Sequence, residues 1–289
     1  MEIGKHGLWM FLDAMTAPQS AQFARKVEKL GYSALWIPEA VGREPFAHAG
    51  YLAANTQSLI IATGIANIWA RDPMTMMAGA RTLAEISGGR FLLGIGVSHE
   101  PLVRVRGREF VKPYSYMKEY VPKMKSALYM AVKPAEEPPI VIGALHPKML
   151  AFAAAETHGT HTYFVTPEQT AKARAIVGPK AWICAAQAVI LENDPAVARD
   201  AARNYMKTYT RLPNYANMLK ALGFTDADFA DGCSDRMVDA VVAWGSEDKI
   251  RARIEEHHKA GATHVCILPL PANKKPLPDE RAMEALAPR

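Results

Sequence analysis

LIIATGI (59–65), then a helix-like segment, then FLLGIG (91–96): this stretch decides the fold. Both runs are continuously apolar rather than alternating, as expected of parallel strands covered on both faces. The same unit recurs on either side. HGLWMF (6–11) and SALWIP (33–38) precede it, and PIVIG (139–143), THTYFV (160–165), AWICAAQAVIL (181–191) and HVCILPL (264–270) follow. Helical patterns fill the gaps: Phe23, Val27 and Leu30 recur on one face, as do Ile250 and Ile254. Asp72-Pro73 and Asp194-Pro195 read as an N-cap followed by an N1 proline. Thr166 and Gln169 have capping-box spacing. Gly31, Gly88-Gly89, Gly178 and Gly261 read as helix stops. Eight such units in 289 residues predict one closed (β/α)8 TIM barrel over 1–289 rather than an open doubly wound sheet. A helical insertion at about 209–235 is expected before the last strand. Chemistry in such a barrel belongs to the loops after the strands.

Composition narrows the function classes. The chain is 49% hydrophobic with a formal net charge of +5. No linker or low-complexity tract divides it. The start lacks a basic segment followed by an apolar core, so a cytoplasmic protein is expected. The longest apolar run, 181–191, is too short to span a bilayer and contains Gln187, so no membrane partner is expected. Cys184, Cys233 and Cys266 are widely spaced and form no CxxC, which suits a reducing compartment and argues against a cysteine-built zinc site. The nine histidines include no HxH and no HExxH, so no catalytic metal is expected. The one dense basic stretch, Arg104 to Lys112, carries no nucleic-acid motif. It reads as a positive rim for an anionic cofactor or substrate, or as a solvated loop.

Candidate site residues come from the strand ends. Glu39 closes the second strand, where a carboxylate can do acid–base work or order the next loop. The third strand runs through Gly64 to Asn67 and Trp69, which offer an amide and a flat apolar face. The fourth gives Gly94, Gly96, Ser98 and His99. Its GxG lacks the third glycine of a dinucleotide fingerprint, and His99 could shuttle a proton or serve the fold. After the fifth strand, Gly143 and Ala144 leave backbone amides open beside His146 and Lys148, ahead of a helix start suited to phosphate. The sixth strand ends at Thr162 and Tyr163, with Thr166 as a helix cap. In the insertion, Tyr215 and Asn217 are candidates for facing substrate, with packing as the other reading.

Six stretches together carry a family resemblance: LWIPEA (35–40), ATGIANIWARDPMTMMAGARTLAEISGGRFLLGIGVSHEP (62–101), GREFVKPYSYMKEYV (107–121), YFVTPEQTAKAR (163–174), LPNYANMLKALGF (212–224) and SDRMVDAVVAWGSEDKIRARIEEHHKAGATHVCI (234–267). In order and spacing the chain resembles the bacterial luciferase-like monooxygenase superfamily, and within it the branch dependent on the deazaflavin coenzyme F420. The resemblance implies a hydride-transferring oxidoreductase acting on a small organic substrate. It places the coenzyme ring in the barrel mouth and its phosphate near Gly143, Ala144 and Leu145. It implies a bulge with a non-proline cis peptide behind the ring, near Ile65-Ala66-Asn67. Family members often carry an acid or a histidine after the second strand; Glu39 holds that position here, and Glu39 and His99 are the acid–base candidates. Glu39, Gly96, Ser98 and Thr162 complete the expected coenzyme contacts, and Trp69, Tyr215 and Asn217 the expected substrate contacts. A homodimer is implied, with the helices 75–86 and 116–130 as pairing surfaces. An FMN-dependent monooxygenase and a non-catalytic deazaflavin-binding barrel remain the alternatives. The loop 98–113 and the insertion hold the substrate specificity.

Overall fold

The apolar runs fold as parallel strands because each is covered on one side by helices and on the other by its neighbours across the barrel. The computed structural model describes residues 1–288. The strands are β1 (His6–Trp9), β2 (Ala34–Ile37), β3 (Ile60–Thr63), β4 (Ala66–Asn67), β5 (Phe91–Gly96), β6 (Ile140–Gly143), β7 (Gly159–Thr162), β8 (Trp182–Ile190), β9 (Val242–Trp244) and β10 (His264–Pro269). β10 pairs with β1 on one side and β8 on the other, which closes the barrel. The eight strands of the closed ring are those of the eight apolar runs. β4 continues β3 along β5, and β9 adds to the far end of β8 at Ala188–Ile190.

Helix caps follow local chemistry. Asp72, Asp194, Thr166 and Ser246 each accept an amide hydrogen at their helix start. Thr166 and Gln169 do not form the expected reciprocal box. The Gln169 side chain donates instead to the Leu145 carbonyl at 2.8 Å, tying its helix to the loop after β6. Residues 209–235 form the helices Pro213–Ala221 and Asp226–Phe229 and a 3-10 turn, Ala230–Gly232. Asp228 holds this region by accepting from Thr225, Ser234 and Arg236. The helices Pro73–Ile86 and Pro113–Lys125 pack on each other within the chain. Among the described residues no helix is long and apolar enough to cross a membrane.

The barrel interior is largely apolar apart from an ordered pair of imidazoles. Trp36 stacks on His161 at 4.6 Å and 10°, and its indole N–H donates to His264 Nε2 at 3.0 Å. Nδ1 of His161 faces the Cys184 carbonyl, and Nδ1 of His264 the Gly4 carbonyl. Each Nδ1 therefore carries the proton, and each Nε2 is a lone pair. Small residues make room for these rings: a Cβ on Gly7 would collide with His264. A third buried imidazole, His257, bridges Thr170 and Gln187 at 2.9 and 2.8 Å. Burial pushes His161 down to about 4, and His257 and His264 to about 3.

A pH dependence follows. These histidines stay neutral in the fold but take up protons in the unfolded chain below its ordinary value of 6.5. Their contribution is full above that value and is lost as pH falls toward 4. The slope approaches about 1.4 kcal/mol per pH unit for each of them. Urea unfolding at pH 7 and pH 5 should show a clear drop in midpoint, and His257→Gln should flatten it. A midpoint independent of pH would contradict this assignment.

Candidate functional site

β3 and β4 are one strand with an interruption. Ala62 pairs with Leu92 and Ala66 with Ile95, so four steps along β3–β4 oppose three along β5. The extra residue is a β-bulge, which re-aims the side chains beyond it. The peptide bond between Gly64 and Ile65 within it is cis, one bond before the expected stretch. The bulge drives the Ile65 side chain against β5 and β6, where the facing residues are glycines. A Cβ on Gly96 would sit 2.8 Å from Ile65 Cδ1, and one on Gly143 would sit 3.3 Å from Ile65 Cγ2. Gly96 and Gly143 thus serve as the cradle of Ile65. Ile65 is half-buried at the mouth, whereas Ala66 is fully buried beneath it. The Trp9 indole braces the floor by donating to the Gly64 carbonyl at 2.9 Å.

Glu39 clamps this bulge. Its amide donates to the Ile65 carbonyl at 3.3 Å, and its Oε2 accepts the Asn67 amide at 2.7 Å. Arg71 grips both carboxylate oxygens, at 2.7 and 3.1 Å, and Arg106 reaches Oε1 at 3.3 Å and also the Ala40 carbonyl. The Glu39 side chain is 5% exposed and that of Arg71 11%. Glu39 was expected at the acid–base step; its oxygens are instead spent on two cations and a backbone amide, which gives it an anchoring geometry. Arg106, from the basic stretch, spends its charge here rather than on the rim.

Asn67 is fixed in orientation. Its Oδ1 accepts the Trp69 amide at 2.9 Å, so Nδ2 is the end left over. That nitrogen is buried and has no hydrogen-bond partner among the described residues. Asn67 pairs with Gly96, whose Cβ position faces Ile65, so it lies on the same inward side of the strand as the bulge. A buried donor without an acceptor is costly, so an unpaired one calls for an explanation.

Around this floor stand the other predicted residues. Ser98, two residues past β5, is left-handed (φ 57°), and His99 follows, half-buried, with its ring 5.2 Å from Tyr215. Burial lowers the His99 pKa below its ordinary value, and no side-chain hydrogen bond restrains the ring among the described residues. Trp69 forms a wall, stacked on Tyr116 at 4.1 Å with its indole N–H on the Val97 carbonyl. Tyr215 is 6% exposed and roofs the mouth from the helix Pro213–Ala221. Asn217 is a correction: two residues on, about 200° around the helix, it is exposed on the other face and cannot join Tyr215 at the mouth. Thr162 is another: it follows the inward His161 and so lies on the opposite face of β7. Ala144 donates its amide to the His161 carbonyl, which removes it from the open set. Leu145 remains in the turn before the helix Pro147–Glu156, whose cap residue His146 makes no capping bond and instead meets the Asn214 carbonyl at 3.1 Å. The sequence reading missed Arg71 and Arg106, which complete the Glu39 clamp, and Tyr205 and Tyr209, which pack beside Tyr163.

A closed parallel barrel with a bulged third strand and a buried, unpaired amide beside the bulge belongs to the (β/α)8 barrels, whose ligands lie at the C-terminal ends of the strands. The chain belongs to the luciferase-like monooxygenase family, whose model matches residues 5–264. It is 24% identical to a Mycobacterium tuberculosis protein named for coenzyme F420-dependent oxidoreductases, over 92% of this chain and 96% of that one. It is 26% identical to the 5,10-methylenetetrahydromethanopterin reductase of Methanolobus tindarius, over 85% of this chain and 88% of the relative. Its fold matches that of an F420-dependent secondary alcohol dehydrogenase solved with an F420-acetone adduct, with a TM-score of 0.80 at 15% identity over 99% of this chain and 98% of that one.

Proposed function

We propose that this protein is an oxidoreductase that binds the deazaflavin coenzyme F420 in the barrel mouth and exchanges hydride between it and a small organic substrate. The observation that carries the reading is the bulge. Ile65 presents a half-buried apolar surface to the mouth, and the orphaned Asn67 Nδ2 beside it suits the carbonyl or nitrogen edge of a flat heterocycle. The helix Pro147–Glu156 adds an N-terminus free of side-chain caps, where amides and dipole favour a phosphate. The names of the relatives favour deazaflavin over FMN, the cofactor that would bring oxygen chemistry.

When bound, F420 supplies a carbon centre that takes or gives hydride and does not readily activate oxygen. The chain supplies the rest. Ile65 and Trp9 form the floor, Glu39 fixes the bulge, and Tyr215 keeps water out. His99, neutral and unrestrained, takes or returns the proton that balances each hydride. Exposed Leu128, Met130 and Val132 offer apolar surface for a homodimer.

Gly143→Val tests the floor. Its added carbons press on Ile65, so F420 affinity should fall by roughly tenfold, at about 1.4 kcal/mol, with little change in thermal midpoint. Unchanged affinity in a fluorescence titration would place the coenzyme elsewhere. The activity itself is tested anaerobically, by following reduction of F420 against a panel of alcohols. Stoichiometric binding with no exchange toward any of them would make the chain a coenzyme carrier.

A further inference from the structure

The phenols of Tyr163, Tyr205 and Tyr209 meet at one edge of the mouth. Tyr163 continues from β7 beside Trp9, their rings 4.7 Å apart. Tyr205 and Tyr209 lie one turn apart on the helix Pro195–Tyr209 and so share a face. The Tyr163 hydroxyl donates to that of Tyr209 at 2.8 Å, and the Tyr205 ring packs on that of Tyr209 at 5.0 Å. All three residues are half-buried, so they keep some accessible surface.

Three phenols carry three O–H donors, and the one bond among them, Tyr163 to Tyr209, uses one. The hydroxyl hydrogens of Tyr205 and Tyr209 are left for an acceptor outside the cluster. Burial and the neighbouring phenols hold Tyr163 and Tyr205 well above the ordinary value of 10, and burial raises Tyr209, so the cluster is uncharged. The rings packed on it are Trp9, Phe164 and Tyr215, also uncharged. Tyr215 carries the line of contact on to His99, at 5.2 Å. Such surroundings disfavour an ionic substrate group and reward a neutral oxygen.

We propose that the Tyr163–Tyr205–Tyr209 cluster seats an uncharged oxygen of the substrate, so that the substrate class is a neutral carbonyl compound or the corresponding alcohol. The inference rests on the mouth being the site of an oxidoreductase, as proposed above. The cluster orients the oxygen by hydrogen bonding, with His99 within reach of the same space. Nothing in this role requires a charged recognition group, which fits the commitment of Arg106 to Glu39.

Acetophenone and α-methylstyrene differ only in C=O against C=CH2, and their binding to the purified protein can be compared by calorimetry. The wild type should prefer the ketone by at least about tenfold, because a site built to donate a hydrogen bond rejects the analogue that cannot accept one. Tyr163→Phe and Tyr209→Phe each keep the ring and remove the hydroxyl. Each should erase the preference while F420 affinity, titrated in parallel, stays within about twofold. Equal binding of the two probes by the wild type, or a preference that survives in Tyr163→Phe, Tyr205→Phe and Tyr209→Phe alike, overturns the proposal. Ketone preference in a wild type that fails to bind F420 supports the oxygen seat and overturns the coenzyme reading instead.

Discussion

Glu39→Leu is expected to lower unfolding free energy by about 3 kcal/mol, since removing one partner of a buried ion pair strands the other. Arg71 would keep the Phe46 ring and one carboxylate, Glu44, whose side chain is 51% exposed, and the Asn67 amide would lose its acceptor. The bulge then keeps its backbone bonds to β2 but loses the carboxylate that ties Asn67 to Arg71 and Arg106, and F420 affinity should fall by more than about tenfold. Glu39→Gln separates anchoring from acid–base work. A glutamine can still accept the Asn67 amide through its oxygen, but it cannot receive Arg71 on both sides. It should therefore lose part of the coenzyme affinity and recover most turnover once coenzyme saturates. Urea unfolding and coenzyme titration check the first expectation, and turnover at saturating coenzyme the second. A glutamine variant with normal stability and affinity but turnover reduced more than about a hundredfold would make Glu39 the proton donor, contrary to its position here.

His99→Ala should behave in the opposite way. Removing a general base costs about 10²–10⁴ in rate, and no bond of His99 supports the floor, so coenzyme affinity should hardly change. The pH profile adds a second reading. Burial lowers the His99 pKa, so the base is unprotonated at neutral pH and is lost only as pH falls through a value below the ordinary 6.5. In the direction that takes a proton from substrate, kcat/KM should decline on that acid limb, and the limb should be absent from His99→Ala. A variant that keeps both rate and limb would move the proton transfer to another group.

The barrel was legible because most of its eight strands are continuous apolar runs that end near a cap or a glycine; β7, GTHT, is polar and was marked only by the apolar Tyr163, Phe164 and Val165 that follow it. β4 and β9, of two and three residues, were not legible, because strands that short carry no periodicity of their own. The bulge depends on Ile65 meeting Gly96 and Gly143, which are brought to it by separate strands. Single positions drew attention in the sequence, but their jobs were set by partners far along the chain. Glu39 stood out as a carboxylate at a strand end, yet Arg71 and Arg106, 32 and 67 residues later, turn it into an anchor. Gly143 looked like an open backbone for phosphate and is room for a side chain. Asn217 failed on helix phase alone, since Tyr215 faces inward and a step of two residues faces away. The spacing of four between Tyr205 and Tyr209 was a readable signal of a shared helical face, but its meeting with Tyr163 required the fold.

The most direct test of the central claim is a pair of titrations of the purified protein, one with F420 and one with FMN. Stoichiometric F420 binding with far weaker FMN binding is the predicted result. FMN bound more tightly, or neither cofactor bound, would contradict the assignment of this mouth to a deazaflavin.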